Sequence, residues 1–428
     1  MGPLLLFDKS FLQSLSVDEA AMLDQMFSCV VSPLFLAETM ADLAKEPEGG
    51  RTPAQIVGGL AERTPVAHSY MNTFHNRLVL DELFGGTVGM DGRPVVAGGI
   101  PVRVEGKVGI VYKKSPEAEA FERWQQGRFL EVERIAAHAW RAALGNFDLP
   151  GIAQAFKAML RKEGRPRNHV AARDLAKAIV DSPGQSYKSL HIAHSVLGMP
   201  PRSLPDVVSA WRRAGSKPLR EHAPFAAHCL EIDLYFYLAL SNGIISDQRA
   251  SNRIDIAYLY YLPFTDLFVS GDRLHRTTAE QFLGPKQRFL WGPDLKQDLA
   301  SLNAHFLALP DDEKGKGLFL LASRPPTDSD GICATLWDTF RPDWRKPRKP
   351  MPALTPAQHE KIVGSSKRIR EAADRPCSVR PEFRMPPDGE IDSLILERHI
   401  PQVRGSWRMF SKEVEDAEQA REAGEMKL

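Results

Sequence analysis

Cysteine is scarce in this sequence, and its few cysteines are widely spaced. The 428 residues contain four of them, Cys29, Cys229, Cys333 and Cys377, and no CxxC pair. A disulfide-stabilised scaffold needs a dense set of cysteines, and a structural zinc site needs closely spaced ones. The spacing argues against both and is typical of a protein in a reducing compartment, so we expect a cytoplasmic protein.

A long apolar run and an excess of charge are also missing. No run reaches the ~20 apolar residues that a membrane span needs, so we expect no membrane association. The opening MGPLLLF is too short for the core of a signal peptide. The formal net charge of +1 argues against a chain that is basic throughout. Any contact with nucleic acid must therefore come from local patches.

Short apolar strands alternate with helices near the beginning of the chain and again after residue 245. The run PLLLFD predicts a strand that ends at Asp8, and Ser16 with Glu19 predicts a capping box on the helix that follows. The strand CVVS then precedes a helix that Pro33 opens. Later, a helix IDIAYLYYL ends at Pro263 and leads into the strand DLFVS, the helix TTAEQFLG and the strand QRFLWG. This alternation predicts an α/β fold with a central parallel sheet.

The middle of the chain has a different pattern. Alternating valines with Asp91-Gly92 and Glu105-Gly106 turns predict a β-meander over about 85–114, and helical periodicity follows up to residue 245. Beyond residue 310 the chain is rich in proline and basic residues. The predicted organisation is a core from residues 1–46 and 246–310, an insertion over 47–245, and a basic arm with C-terminal helices over 311–428.

Four acidic residues are predicted to meet at one edge of the sheet. Asp8 follows the first strand and Asp272 follows DLFVS, and ligands bind at the carboxyl ends of strands in an open parallel sheet. Right-handed crossovers bring helix N-termini to the same edge, which adds Asp255 and Glu38. By contrast, Asp266 begins the strand DLFVS and should lie roughly 20 Å away, as a structural acid.

Carboxylates this close repel one another unless a cation neutralises them. Oxygen ligands suit Mg²⁺ or Mn²⁺ better than zinc. Such an ion can orient a water and stabilise charge on phosphorus, which is the chemistry of phosphodiester hydrolysis. We therefore predict catalytic, metal-binding roles for Asp8, Glu38, Asp255 and Asp272.

The segments LLLFDKSFL, VVSPLFLAETMADL and IDIAYLYYLPFTDLFVSGDRLH together resemble a PIN domain. Asp8 matches the first acid of that family and Glu38 the glutamate of its second helix group. Asp255 matches the acid that opens the penultimate helix, and Asp272 the acid of the small-x-Asp loop. The resemblance covers roughly residues 1–46 and 250–295. The long segment between Glu38 and Asp255 and the C-terminal extension depart from the compact family pattern.

The resemblance implies a three-layer α/β/α core and a metal-dependent endonuclease that acts on RNA or single-stranded DNA. Family members act in toxin–antitoxin pairs, RNA processing or decay, so the resemblance also allows a regulatory protein partner and an oligomer. Two alternatives remain open: a DNA-directed or structure-specific nuclease with the same acids, and a non-catalytic scaffold that keeps the fold.

Residues beyond the four acids carry weaker predictions. The loop residues at and after the third core strand are candidates for substrate contact, against the alternative of a solvated loop: Ser270, Arg273, His275 and Arg276. Lys9 is predicted to be a surface lysine. The aromatic run of Tyr258, Tyr260, Tyr261 and Phe264 favours core filling over base stacking. A basic run interleaved with Trp344 predicts either an RNA contact or a solvated arm: Arg341, Arg345, Lys346, Arg348 and Lys349.

Overall fold

The computed structural model of the chain describes residues 2–47, 49–159, 164–347, 355–375 and 391–416. The strands in these stretches are, in chain order, β1 Leu4–Phe7, β2 Ser28–Val31, β3 Ser69–Met71, β4 Gly99–Val104, β5 Lys107–Tyr112, β6 Leu267–Ser270, β7 Arg288–Trp291, β8 Ser393–Leu396, β9 Val403–Arg404 and β10 Trp407–Arg408.

The first thirteen helices are α1 Lys9–Ser14, α2 Val17–Met26, α3 Pro33–Ala41, α4 Pro53–Arg63, α5 His75–Leu83, α6 Pro116–Gln125, α7 Glu131–Gly145, α8 Leu149–Met159, α9 His169–Val180, α10 Ser186–Val196, α11 Leu204–Arg213, α12 Leu219–His222 and α13 Pro224–Ser241. The remaining ones are α14 Asn252–Ala257, α15 Arg273–Thr278, α16 Gly292–Leu307, α17 Asp311–Lys314, α18 Leu318–Leu321, α19 Ile332–Phe340 and α20 Pro356–Asp374. Within the described stretches, 3-10 helices cover Asp42–Ala44, Pro201–Ser203, Tyr258–Phe264 and Ala279–Gln281.

A five-stranded parallel sheet lies at the centre of the fold, with helices flanking it. Its strand order is β3-β2-β1-β6-β7, and each neighbouring pair is parallel. The central strand β1 is entirely leucine and phenylalanine, as expected for a strand covered on both faces. The predicted α/β fold with a parallel sheet is therefore confirmed. Because β1 and β6 are adjacent and run in the same direction, the residues that follow them leave the sheet at the same edge.

Local sequence signals account for the helices beside β1 and β2. Ser16 and Glu19 form the predicted capping box of α2, each satisfying a backbone N–H of the other's residue. Pro33 is the first residue of α3, and the Ser32 hydroxyl accepts a hydrogen bond from the Leu34 amide. One difference concerns Pro263, which lies inside a 3-10 helix instead of ending an α-helix.

The sheet continues into the segment that was predicted to be an insertion. Strand β3 pairs with β2 although it lies beyond residue 46, so the predicted boundary is displaced. A strand of three residues with the sequence SYM gives little pattern to detect. The predicted meander is a hairpin of β4 and β5 that β8 completes as a third strand, and the Asp91-Gly92 turn lies outside any strand.

The helical part of the predicted insertion shares the hydrophobic core of the sheet. Helix α13 is buried on nearly every side, between α5, α8 and α9. Its apolar side chains belong to the same cluster as those of β1, β2 and β6. Helix α13 therefore packs into the core of the sheet and has no polar face to present to solvent.

The C-terminal segment is not an extended arm in the stretches that the structure describes. Trp344 is buried against Trp337, and the Arg345 guanidinium pairs with Asp338 at 2.8 Å. Helix α20 packs on β4. Within the predicted solvated or RNA-binding run, Trp344 and Arg345 are thus folded against α19. Two of its members, Arg348 and Lys349, lie outside the described residues.

Two remaining features concern membranes and thiols. Within the described stretches, no helix combines the length and the apolar character needed to cross a membrane. Cys29, Cys229 and Cys333 are buried free thiols, and Cys377 lies outside the described residues.

Candidate active site

Asp8 and Asp272 lie at the carboxyl ends of adjacent strands, as predicted. Asp8 directly follows β1 and Asp272 follows β6 by two residues. Each acid also caps the helix that comes next: Asp8 accepts a hydrogen bond from the Phe11 amide at 2.9 Å, and Asp272 accepts one from the Leu274 amide at 2.6 Å. The helix-capping role that any strand-end acid can have is thus present at both positions.

Asp8 is almost completely buried and is held by hydroxyl groups and a histidine. Its second carboxylate oxygen accepts hydrogen bonds from Ser10 Oγ and Ser270 Oγ, both at 2.7 Å. The same oxygen lies 3.4 Å from His275 Nδ1. His275 is fully buried and donates through Nε2 to the Asp255 main-chain oxygen at 2.5 Å. One histidine therefore connects the segment after β1 with the helix that carries Asp255.

This arrangement fixes the charges of Asp8 and His275. Burial acts to raise the pKa of Asp8, but the hydrogen bond and charge of His275, with the Phe11 amide and Ser10 hydroxyl, outweigh it and lower the pKa. Burial acts to lower the pKa of His275, but Asp8 and Asp255 outweigh it and raise the pKa to about 9. At neutral pH the site therefore contains an ionised Asp8 and a protonated His275.

The burial of Ser270 and His275 corrects one prediction. Both side chains are 0% exposed, and their polar atoms contact Asp8, the Asp255 main chain or each other. Neither is available to touch a substrate, so they act as positioning residues for Asp8. Thr278 and Ala279 follow His275 at helical spacing and are also buried, so this face of α15 points inward.

Glu38 is held near Asp8 by contacts that the sequence did not reveal. The Tyr258 hydroxyl donates a 2.5 Å hydrogen bond to its carboxylate. Lys9 donates to the Glu38 main-chain oxygen at 3.1 Å and pairs with Asp42 at 2.5 Å. The predicted surface lysine is thus wrong, since the Lys9 side chain is only 12% exposed. Tyr258 fills the core as predicted, but its hydroxyl is also part of the site.

The pKa values of Glu38 and Asp255 are raised. Burial, reinforced by the charges of Asp255 and Asp8, raises the pKa of Glu38 to about 7 despite Lys9 and Tyr258. Burial and the charges of Asp272 and Asp8 raise the pKa of Asp255 to about 6, against the opposing effect of His275. Each of these shifts includes repulsion from another of the four acids, so the four predicted carboxyl groups share one electrostatic environment.

The donor chemistry of this group suits a hard divalent cation, but the group is not a preformed metal site. Carboxylate oxygens are the ligands that Mg²⁺ and Mn²⁺ prefer. Across the described part of the chain, no three His, Cys, Asp or Glu side chains are grouped so that they could hold a metal ion. The carboxylate oxygens of Asp8 and Glu38 instead accept hydrogen bonds from the hydroxyl groups of Ser270 and Tyr258. Binding a cation would therefore require carboxyl side chains to move towards one another.

The remaining predicted residues divide into exposed and structural ones. Arg273 and Arg276 are exposed on α15, directly after Asp272. The guanidinium group of Arg276 lies 4.9 Å from the centre of the Trp291 ring. Asp266 lies at the opposite end of β6 and accepts a hydrogen bond from the Leu4 amide at 2.9 Å, which confirms its predicted structural role.

Comparisons of the chain with protein-family models, with curated proteins and with solved structures found no match. The function of the site must therefore be inferred from its own geometry and charge.

Tyr260, Tyr261 and Phe264 are buried, which confirms core filling and excludes them as an exposed surface for stacking bases.

The raised pKa of Glu38 predicts that this residue destabilises the metal-free protein at high pH. Its folded-state pKa of about 7 exceeds the ordinary value of 4.5, so the unfolded chain binds fewer protons between these values and stability falls as pH rises through them. Glu38→Gln keeps an acceptor for Tyr258 and removes the charge. In EDTA at about pH 8, we expect it to raise the free energy of unfolding by on the order of 1–3 kcal/mol.

Thermal unfolding at about pH 5 and pH 8 measures this effect. Near pH 5 the buried Glu38 of the wild type is already neutral, so most of the difference should disappear. Glu62→Gln, at an exposed position, is the matched control and should change little at either pH. Equal or lower stability of Glu38→Gln at the higher pH would argue against a buried, repelled carboxyl group.

Proposed function

We propose that the chain is a divalent-metal-dependent endonuclease of the PIN type, with RNA as its substrate. The observation that carries the proposal is that Asp255 and Asp8 help to raise the pKa of the buried Glu38, and Asp272 and Asp8 help to raise the pKa of the buried Asp255, at the carboxyl edge of a parallel sheet. Acids that raise one another's pKa are stabilised when a cation binds between them. Their order along the chain and the central parallel sheet agree with the resemblance to the PIN family.

The chain's own residues would prepare the site for a cation. His275 keeps Asp8 ionised, so one ligand carries its full charge without proton release. Glu38 and Asp255 would lose their protons when they take up the ion, which makes binding stronger as pH rises through about 6 and 7. When bound, Mg²⁺ or Mn²⁺ supplies a polarised water and neutralises charge on the phosphate. Arg273 and Arg276 are exposed directly after Asp272, where their positive charges can contact the phosphate groups of a nucleic-acid backbone.

We also propose that the protein acts in the cytoplasm. Three buried free thiols support a reducing compartment. Among the alternatives, a non-catalytic scaffold is favoured by one observation, namely that the described carboxyl groups do not form a ready metal site. A DNA-directed nuclease would use the same acids, and only the substrate would distinguish it.

The proposal is tested by cleavage of single-stranded RNA, single-stranded DNA and duplexes with Mg²⁺ or Mn²⁺. We expect cutting of the single strands, with RNA preferred, and complete loss in EDTA. Asp272→Asn should remove most of the activity while leaving the fold intact, because asparagine also caps helices well. Asp266→Asn, at the other end of β6, is the control and should cut as the wild type does.

The outcomes separate the alternatives. Cutting that survives both EDTA and Asp272→Asn would contradict the proposal. Preferred cutting of single-stranded DNA or of duplexes would favour the DNA-directed or structure-specific enzyme. A purified protein that cuts none of the substrates with either metal would favour the scaffold.

A further inference from the structure

Trp291 lies beside the candidate active site, on the outermost strand of the sheet. It is the last residue of β7 and pairs in register with Ser270, the last residue of β6. Paired residues on neighbouring strands are about 5 Å apart and project to the same face of the sheet. Because the Ser270 side chain contacts Asp8, the indole of Trp291 projects on the face that carries the acids.

Trp291 and Arg276 contact each other through the indole ring and the guanidinium group. Arg276 is exposed and its guanidinium lies over the Trp291 ring. In the described part of the chain, neither the Arg276 guanidinium nor the Trp291 indole nitrogen makes a hydrogen bond or ion pair. The pair thus has a partly exposed indole ring and, among the described residues, a guanidinium without an acidic partner and an indole N–H without an acceptor.

In the described stretches, a second tryptophan–arginine pair has all its polar groups bound within the protein. Trp344 is buried and its indole nitrogen donates to Asp338. Arg345 lies over the Trp344 ring and is neutralised by the same Asp338. That pair is satisfied internally and needs no ligand. The pair at Trp291 lacks both the burial and the acidic partner.

We propose that Trp291 and Arg276 form a binding subsite for single-stranded nucleic acid, in which the exposed Arg276 guanidinium moves off the indole to contact a phosphate and an unpaired base stacks on the indole in its place. The inference rests on the proposed nuclease function and names a residue pair that selects single strands. A base in a duplex is already stacked between its neighbours, so only an unpaired base can lie on the indole. The position at the end of β7 puts that base next to the strand ends that carry Asp8 and Asp272.

The test is the binding of short fluorescent oligouridine, oligodeoxyadenosine and a blunt DNA duplex to the full chain, measured by anisotropy in EDTA. Trp291→Ala should weaken binding of both single strands by about five- to a hundredfold, the range that removal of a stacking aromatic gives elsewhere. Trp291→Phe should restore most of the affinity. Duplex binding should change little in either variant.

Arg276 is tested through the salt dependence of binding. Arg276→Ala should lower the slope of log affinity against log salt by about 0.7, as expected for the loss of one phosphate contact on a single strand. Arg288→Ala is the matched control, because it removes an exposed arginine from the opposite end of β7, where its guanidinium donates to the main-chain oxygens of Pro285 and Gln287. It should leave the affinity for single strands close to that of the wild type.

Several results would overturn the inference. These are equal single-strand affinity of Trp291→Ala and wild type, equal losses for single strand and duplex, or equal losses in Arg288→Ala. Should Trp291→Ala not fold, Trp291→Leu fills similar space without an aromatic face and is compared with Trp291→Phe. Because binding is measured without metal, an enzyme that cuts RNA but tolerates Trp291→Leu would refute the subsite alone. Single-strand binding that depends on Trp291 in a protein that never cuts would refute only the nuclease.

Discussion

Asp8→Asn is expected to lower the rate of metal-dependent RNA cleavage by at least about a hundredfold. Loss of a residue that only supports a metal ligand typically costs 10–100-fold, and a direct ligand costs more. The pKa of Asp8 is lowered despite its burial, so Asp8 carries a negative charge at neutral pH. An asparagine removes this charge and leaves the buried, protonated His275 without its partner.

The substitution is chosen to keep the local structure. The side-chain oxygen of asparagine still accepts the hydrogen bond from the Phe11 amide and caps α1. Its rate is to be measured beside that of Asp266→Asn, an acid at the opposite end of the sheet. Glu38→Gln is the second variant, since it keeps the contact with Tyr258. Near wild-type cleavage by Asp8→Asn, with a normal unfolding temperature, would remove Asp8 from the reaction.

Asp24→Ala is expected to have the largest effect on stability, with a loss of about 3–5 kcal/mol in the free energy of unfolding. Asp24 is fully buried in α2 and pairs with the buried Arg404 of β9 at 2.8 Å. It also accepts hydrogen bonds from three consecutive main-chain amides before β3: Val66, Ala67 and His68. Alanine would leave the buried Arg404 guanidinium without its counter-ion and the three amides without their acceptor.

Arg404→Met should cost less, about 1–3 kcal/mol, because Asp24 keeps its three amide donors. The arginine's other contacts, with the main-chain oxygens of Arg63 and Thr64, would still be lost. Both variants are compared by denaturant unfolding with Glu313→Ala, which removes only an exposed ion pair with Lys316. If the effect of Asp24→Ala is as small as that of the control, the antiparallel strands β9 and β10 are not anchored to the core through the pair of Asp24 and Arg404.

The positions of Asp8 and Asp272 could be predicted because both depend on local pattern. The apolar run LLLF is followed directly by Asp8, and DLFVS is followed by a glycine and then Asp272. Parallel pairing of the two strands then brings the acids to one edge. The capping box of α2 and the proline at the start of α3 were likewise readable from a few neighbouring residues.

What could not be predicted depends on contacts between distant segments. Strand β8 joins a hairpin that lies nearly 300 residues earlier in the chain. Lys9 pairs with Asp42, and Tyr258 donates to Glu38, although nothing in their own neighbourhoods distinguishes them from a surface lysine and a core tyrosine. The packing of α13 into the core of the sheet could not be predicted for the same reason, since the residues that cover a helix cannot be identified from the sequence of that helix alone.

Contacts between distant segments also separate the four residues that were predicted to contact a substrate. Ser270, Arg273, His275 and Arg276 fall in one short segment, and their sequence does not distinguish between them. The structure divides them by direction: Ser270 and His275 point inward to Asp8, and the two arginines remain exposed. Trp291 was not recognised because its relation to Asp8 depends on the pairing of β7 with β6.

The most direct test of the account is a calorimetric titration of the full chain with Mn²⁺ at about pH 6, where Glu38 is still largely protonated and Asp255 partly protonated in the metal-free protein. We expect saturable binding with release of protons, because Glu38 and Asp255 must ionise when the cation is taken up. Binding should be lost in Asp8→Asn and unchanged in Asp266→Asn. Saturable Mn²⁺ binding that is the same in Asp8→Asn, or no binding by the wild type, would contradict the claim that these carboxyl groups form a metal site.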